Sequence, residues 1–232
     1  MLRYAITDRA RFPGDEAARK AALLLLQVKR WSEQVKPWSE QAHGSIHTGL
    51  DMVQLREKDL EAAALADLAR QLLTIFRAPT HNSELTTHNC LPKLLINSRA
   101  DVAVAVGADG VHLTSAPGSL TPAQIRQIYS AANLPAPVVS VSCHTVAEVA
   151  HAAASPEEQR PTMILFGPVF EKRVGDRIIS EGTSLDLLQQ ACLAADSIPV
   201  LALGGITLEN TQACLTAGAA GIAAIRLFAE LR

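Results

Sequence analysis

The sequence predicts an α/β fold, a (β/α)8 TIM barrel with a nearly absent last helix, formed by a single domain over residues 1–232. Three observations predict it. Short apolar runs alternate eight times with segments of helical period, and no linker interrupts them. Such regular alternation implies a parallel sheet, and eight repeats imply closure. The chain is 48% hydrophobic but only 4% aromatic, with Ala, Leu and Val dominating, as helices packed on a parallel sheet require. Glycines and polar residues gather just after the apolar runs, where barrel enzymes place their sites.

The elements follow in order. Residues 3–7 read as the first strand, and 15–41 as a long helix that Pro37 breaks or kinks. Trp31 and Trp38 on that segment read as packing residues. Residues 52–56 are the second strand and 60–76 an amphipathic helix, followed by a polar surface loop over 78–92. Residues 93–97 form the third strand, 100–106 a short helix and 110–113 the fourth strand. Thr121-Pro122 starts a helix, with an N-cap and then proline at the first helical position. The fifth strand spans 138–142, and Thr145 caps a helix to about 154, with Glu148 completing a capping box. The sixth strand is 163–166, and a long polar loop over 171–182 leads to a helix at 184–195. Residues 200–203 are the seventh strand, followed by a Gly204-Gly205 turn, a helix from 208 to 216 capped by Thr207, and an eighth strand at 221–225. Because the last helix is nearly missing, a shared partner surface is expected to cover the gap, which predicts a homo-oligomer.

Composition removes several function classes. Net charge is −2, with no basic run or aromatic-spaced basic stripe, so neither nucleic acid nor a membrane surface is an expected partner. No apolar run approaches the length of a membrane span, and the N-terminus enters a strand-like segment directly, so the expected location is cytoplasmic. Cys90, Cys143, Cys192 and Cys214 make no C-x-x-C pair and read as reduced thiols.

The residues after each apolar run are the candidates for chemistry. Alternation along the second strand places Gln54, Arg56 and Lys58 on one face, so two cations can point into the mouth. The third strand ends in Asn97, with Arg99 just beyond. On the fifth strand Ser140, Ser142 and His144 share a face while Cys143 points away, which argues against a Cys143–His144 nucleophilic dyad. His144 is the mouth histidine placed for proton transfer, or else a capping or structural residue. His112 reads as packing against the neighbouring strand. His43 and His47 have helical metal-ligand spacing but no third ligand nearby, and His81 and His88 read as solvated. Lys172, Arg173 and Arg177, near Gly182, Thr183 and Ser184, suit either an anionic ligand under a closing loop or a solvated charge cluster. Arg226 adds a cation beside the Gly204-Gly205 loop, where the strand-eight end at Ile225 and a helix N-terminus could receive phosphate.

The motifs YAITD, VQLREK, LLINSRADVAVAVGADGVHL, SVSCHT, LFGPVF, GTSL, PVLALGGIT and AGAAGIAAI, in this order over about 4–228, resemble the thiamin phosphate synthase superfamily. That resemblance implies one of two activities. Synthases join hydroxymethylpyrimidine pyrophosphate to thiazole phosphate with Mg²⁺, whereas TenI-type members are thiazole tautomerases that move a proton to aromatise a thiazole carboxylate phosphate. Synthases carry Asn-Asp-Arg after the third strand and a further metal-holding Asp past Gly-Val-His-Leu. Here those positions read Asn97-Ser98-Arg99 and residues 114–119, without a carboxylate. Mg²⁺ prefers oxygen ligands and would lose its anchors. His144 falls at the position of the TenI-type catalytic histidine, and LFGPVFE with GTSL matches that branch, although synthases often carry His there too. Arg226 departs from both branches, which have a small residue there, and would either strengthen phosphate binding or block the site.

The expectation is therefore a TenI-type, metal-independent thiazole tautomerase that needs no cofactor, with Mg²⁺ required only for a synthase. His144 would carry the proton, and Arg56 with Lys58 would hold the carboxylate or polarise the ring. Asn97, Ser142, Gly182 and Thr183 would bind the phosphorylated thiazole, and Gly204, Gly205, Ile225 and Arg226 its phosphate. Three alternatives stay open: a divergent synthase, a non-catalytic barrel that binds thiazole or thiamin phosphate for regulation, and another enzyme on the same scaffold.

Overall fold

A computed structural model describes residues 1–14, 16–33, 50–77, 92–174 and 177–229. Eight strands close a parallel barrel: β1 (Leu2–Ile6), β2 (Met52–Leu55), β3 (Lys93–Asn97), β4 (Gly110–Leu113), β5 (Val138–Cys143), β6 (Met163–Phe166), β9 (Val200–Leu203) and β10 (Gly221–Ala224), with β10 pairing back onto β1. The helices are α1 (Ala17–Glu33), α2 (Ala62–Arg77), α3 (Ala100–Val106), α4 (Pro122–Ala131), α5 (Val146–Ala154), α6 (Leu185–Ala194), α7 (Leu208–Thr216) and α8 (Arg226–Ala229). The last is a single turn, in line with the expectation of a nearly absent final helix.

One part of the expected pattern is corrected. The stretch read as a continuous polar loop, 171–182, contains β7 (Lys172–Val174) and β8 (Arg177–Ser180), an antiparallel pair outside the barrel. Thus Lys172, Arg173 and Arg177 stand on strands of a hairpin that leaves β6 and returns to α6. Two short 3-10 helices, Arg9–Arg11 and Glu157–Gln159, are also additional, and elsewhere the described differences are one or two residues at element ends: β1 begins at Leu2, β2 stops at Leu55, and β5 extends to Cys143. The expectations for 34–41, Trp38, His43, His47, His81, His88 and Cys90 lie outside the described residues.

Two cores follow from the strand period of two. Ala5, Val53, Leu94, Ile96, Val139, Ile164, Ala202 and Ile222 face outward and meet the helices. The buried stripe of α2, Leu65, Leu68, Leu72 and Phe76, packs into that layer at helical spacing. Their strand neighbours Tyr4, Ile6, Met52, Leu95, Val138, Met163, Leu165, Leu201 and Ala223 form a separate cluster that fills the barrel. At about 25 cal/mol per Å² of apolar surface removed from water, both layers favour closure.

Helix starts follow local chemistry. Thr121, Thr145 and Thr207 each accept a hydrogen bond from the backbone N–H three residues on, and each forms a complete capping box, with Gln124, Glu148 and Asn210. These caps fix where each helix leaves the strand before it, and so position the residues between. Among the described residues no helix is long and apolar enough to cross a membrane.

Candidate active site at the C-terminal ends of the strands

The mouth is assembled from neighbouring strand ends. Register sets Asn97 beside His112 and His112 beside Ser140, so β3, β4 and β5 bring these side chains together. His112 is buried and bridges two serines of the adjacent strand, with Nδ1 2.9 Å from Ser140 Oγ and Nε2 3.0 Å from Ser142 Oγ. It does pack against the neighbouring strand, through polar contacts rather than apolar ones. Burial, and then the charge of Arg56, push the His112 ring down to about 4, so it is neutral at pH 7. Arg56, half-buried at the end of β2, acts electrostatically on the same cluster, whereas Lys58 is exposed in the turn beyond it.

Glu57, between those two cations, takes a different path. It is buried and accepts bonds from Thr7 Oγ1 at 2.7 Å and from the Arg9 backbone N–H, with Arg9 Nε 3.5 Å away. Burial pushes its carboxyl above the ordinary range against these partners. Arg9 also pairs with Asp59 at 2.6 Å. This set joins the ends of β1 and β2, and leaves Glu57 turned to Thr7 and Arg9. Sequence reasoning passed over Thr7, Arg9 and Glu57, and the signal was a charged residue alternating out of phase with Arg56 and Lys58.

His144 is exposed at the end of β5. Its Nδ1 lies 2.6 Å from the carbonyl oxygen of Gly167, just past β6. A carbonyl only accepts, so Nδ1 carries the proton and, in the neutral ring, Nε2 holds the free lone pair. The main chain at His144 is fixed as well, because its N–H donates to the Glu148 carboxylate of the α5 capping box. Cys143 points the other way into the outer core, and burial pushes its thiol up to about 12. The two do not form a nucleophilic pair.

The glycine-rich loops interlock. A Cβ on Gly167 would run into the Leu203 carbonyl of β9. Gly204 and Gly205 have φ of 94° and 64°, and a Cβ there would lie 2.6 Å from Pro168 and from Phe170 Cβ, respectively. Gly182 packs equally closely on the backbone of 169–171, where a Cβ would sit 2.6 Å from the Val169 oxygen. Val169 N–H donates to Leu203 O and Phe170 N–H to Gly204 O, which sews the β6 loop to the β9 loop. The Thr183 hydroxyl donates to Pro168 O at 3.0 Å, so its proton is engaged within this loop. Glycine here therefore serves loop-on-loop contact.

The Gly204-Gly205 turn and the Ile225–Arg226 step end the adjacent strands β9 and β10, and Arg226 opens α8 with its side chain exposed. The structure thus brings together Arg56, Asn97, His112 and Ser142 on one side of the mouth, and Gly204, Gly205, Ile225 and Arg226 at the next pair of strand ends beyond β6. His144 stands between these groups, on β5 beside β6.

The polar residues are otherwise engaged. Gln54 donates to Asn97 Oδ1 at 2.8 Å, while its own Oε1 is buried without a hydrogen-bond partner among the described residues. Arg99 is tied to Asp101 by two bonds of 2.9 and 2.6 Å. Among the described residues no group of three or more His, Cys, Asp or Glu side chains could hold a metal ion. Cys143, Cys192 and Cys214 are free thiols.

Comparison with known proteins identifies the family. Residues 29–228 match the TMP-TENI family, described as thiamine monophosphate synthase. A relative from Geobacter sulfurreducens is 37% identical over 182 residues, covering 78% of this chain and 75% of its own. The thiamine-phosphate synthase of Roseiflexus castenholzii is 33% identical over 183 residues, covering 79% of this chain and 70% of its own. Among solved structures, the thiamine phosphate pyrophosphorylase from Pyrococcus furiosus superposes with a TM-score of 0.65 at 24% identity, covering 97% of this chain and 85% of that one, and so shares the fold. With a family match over most of its length and relatives above 30% identity, the chain belongs to the TMP-TENI family of thiamine biosynthesis.

Proposed function

We propose that this barrel moves a proton on a phosphorylated thiazole, the tautomerase reaction of the TenI type. The observation that carries the reading is His144: exposed at a strand end, with Nδ1–H held by the Gly167 carbonyl and Nε2 left as a base. Nε2 removes a proton from one position of the thiazole ring, and the imidazolium returns a proton at another, so the step is an isomerisation without net redox change. Arg56 and Lys58 hold the carboxylate of the ligand or polarise its ring. Asn97, Ser142, Gly182 and Thr183 line the ring side, and Gly204, Gly205, Ile225 and Arg226 take the phosphate.

The donor set bears on Mg²⁺. Three carboxylates near the strand ends are engaged, Glu57 with Thr7 and Arg9, Asp101 with Arg99, and Glu148 with the α5 cap, and among the described residues no group of three or more His, Cys, Asp or Glu side chains could hold a metal ion. Ser98 stands where the synthase pattern has a carboxylate. A hard cation that prefers several oxygen ligands does not fit this set, which supports the metal-independent reading.

The second reading is a thiamine-phosphate synthase, and it is the one the relatives' names favour. One experiment separates the two. The protein is given hydroxymethylpyrimidine pyrophosphate, thiazole phosphate and Mg²⁺, and thiamin phosphate is measured. It is then given the thiazole carboxylate phosphate tautomer alone, as wild type and as His144→Ala. Isomerisation that depends on His144, without coupling, is the expected result; coupling at enzymatic rates would replace the proposal with the synthase.

A further inference from the structure

Below the mouth, four polar side chains run in a line through the barrel. Tyr4 Oη is 3.1 Å from Ser140 Oγ, Ser140 Oγ is 2.9 Å from His112 Nδ1, and His112 Nε2 is 3.0 Å from Ser142 Oγ. Tyr4, Ser140 and His112 are buried, and Ser142 at the upper end is half-buried.

Taken singly, each bond can run either way, but the chain as a whole has a preferred sense. Tyr4 is fully enclosed, and among the described residues Ser140 is the only hydrogen-bond partner of its hydroxyl. A phenol has one proton to donate, and a buried donor without an acceptor is strongly disfavoured. Tyr4 therefore donates to Ser140. Ser140 then directs its own proton to His112 Nδ1, which must be the bare nitrogen. The ring is neutral near pH 7, so its proton is on Nε2 and is donated to Ser142. Ser142 accepts, and its own hydroxyl proton is left for a further acceptor. Arg56, half-buried just past the end of β2, adds a positive charge whose field reaches the same ring.

We propose that Tyr4, Ser140 and His112 form a one-way hydrogen-bond chain that presents Ser142 as a donor to an oxyanion of the ligand, a carboxylate or phosphate oxygen, with Arg56 supplying the charge. Tyr4 and His112 are positioning residues acting through Ser142. The identity of the ligand rests on the phosphorylated thiazole reading; the sense of the chain does not.

The first test needs no ligand. Nitrogen-15 NMR of the histidine rings, with the His112 signals assigned by their loss in His112→Gln, should show the Nε2–H form in at least roughly tenfold excess. A dominant Nδ1–H form overturns the chain. The second test uses Tyr4→Phe, which removes only the terminal hydroxyl. Calorimetric binding of thiazole carboxylate phosphate and of the decarboxylated thiazole phosphate should weaken by about 5–30-fold. Loss for the carboxylated compound alone identifies a carboxylate, and loss for both identifies a phosphate oxygen. Unchanged affinity for both, in a variant that melts cooperatively, overturns the role of the chain. If neither compound binds wild type, the thiazole reading fails on its own, and inorganic pyrophosphate becomes the probe for the same comparison.

Discussion

His144 Nδ1 and the Gly167 carbonyl oxygen, 2.6 Å apart, tie the ends of β5 and β6 through a side chain whose second nitrogen has no hydrogen-bond partner among the described residues. A backbone acceptor has no pKa in the working range, so the ring keeps its orientation when it takes up a proton. That is the behaviour required of a group that must accept and release a proton in one turnover. His144→Ala should lower kcat by ~10²–10⁴-fold and change KM by less than about threefold. Because the ring is exposed, its melting temperature should stay close to wild type. Steady-state kinetics with a thermal melt checks both, and undiminished turnover would remove His144 from the chemistry.

Gly167→Ala tests the acceptor. The added methyl meets the Leu203 carbonyl, so the end of β6 must move away from β9 and take the His144 partner with it. The expected loss is about 1–3 kcal/mol of stability, as for overpacking in a tight core. Activity should fall further than stability alone accounts for, measured at a temperature where the variant is fully folded.

His112 makes the fold sensitive to acid. Its ring titrates near 6.5 when unfolded and is pushed down to about 4 in the fold, first by burial and then by Arg56. Between those values the unfolded chain binds more protons, so stability is complete above about 6.5 and declines as pH falls toward 4. The decline amounts to a few kcal/mol, on the order of 1.4 per pKa unit. Urea unfolding at several pH values should show it, and His112→Gln should flatten the profile over this window. A wild-type profile that is already flat would mean that water reaches the ring.

Cys143 is the contrast. With its thiol pushed up to about 12 and packed in the outer core, it should react slowly with thiol reagents in the native state. Cys143→Ala should keep kcat within about twofold, since it removes one buried atom from a position that faces away from the mouth. A large kinetic loss in a stable variant would reopen the thiol chemistry that the strand geometry argues against.

Much of this architecture could be read from the sequence, because helix and strand differ in period and in end chemistry. Thr145 with Glu148 and Thr121 with Pro122 fix helix starts through contacts within four residues, and both are where the sequence places them. The glycine turn at 204–205 was legible for the same reason, since its positive φ values demand glycine. What escaped depends on contacts between distant segments. Nothing local to Ser140 announces that Tyr4 and His112 both reach it, across 136 and 28 positions of chain. Gly182 and Thr183, expected as ligand contacts, also pack on the backbone of 168–171 at the other end of the same β6–α6 connection, a contact that nothing local to them announces. The β7–β8 hairpin was missed because its strands are only three and four residues long and carry the cations Lys172, Arg173 and Arg177.

Among the described residues β7 and β8 pair only with each other, while β6 and β9 bond directly to each other in the barrel. The segment rising from the rim is therefore an interchangeable attachment: barrel closure makes no use of its ladder bonds. Swapping residues 172–180 for the corresponding stretch of a relative would leave the barrel's own strand pairing unaltered, which makes this a natural position for a graft.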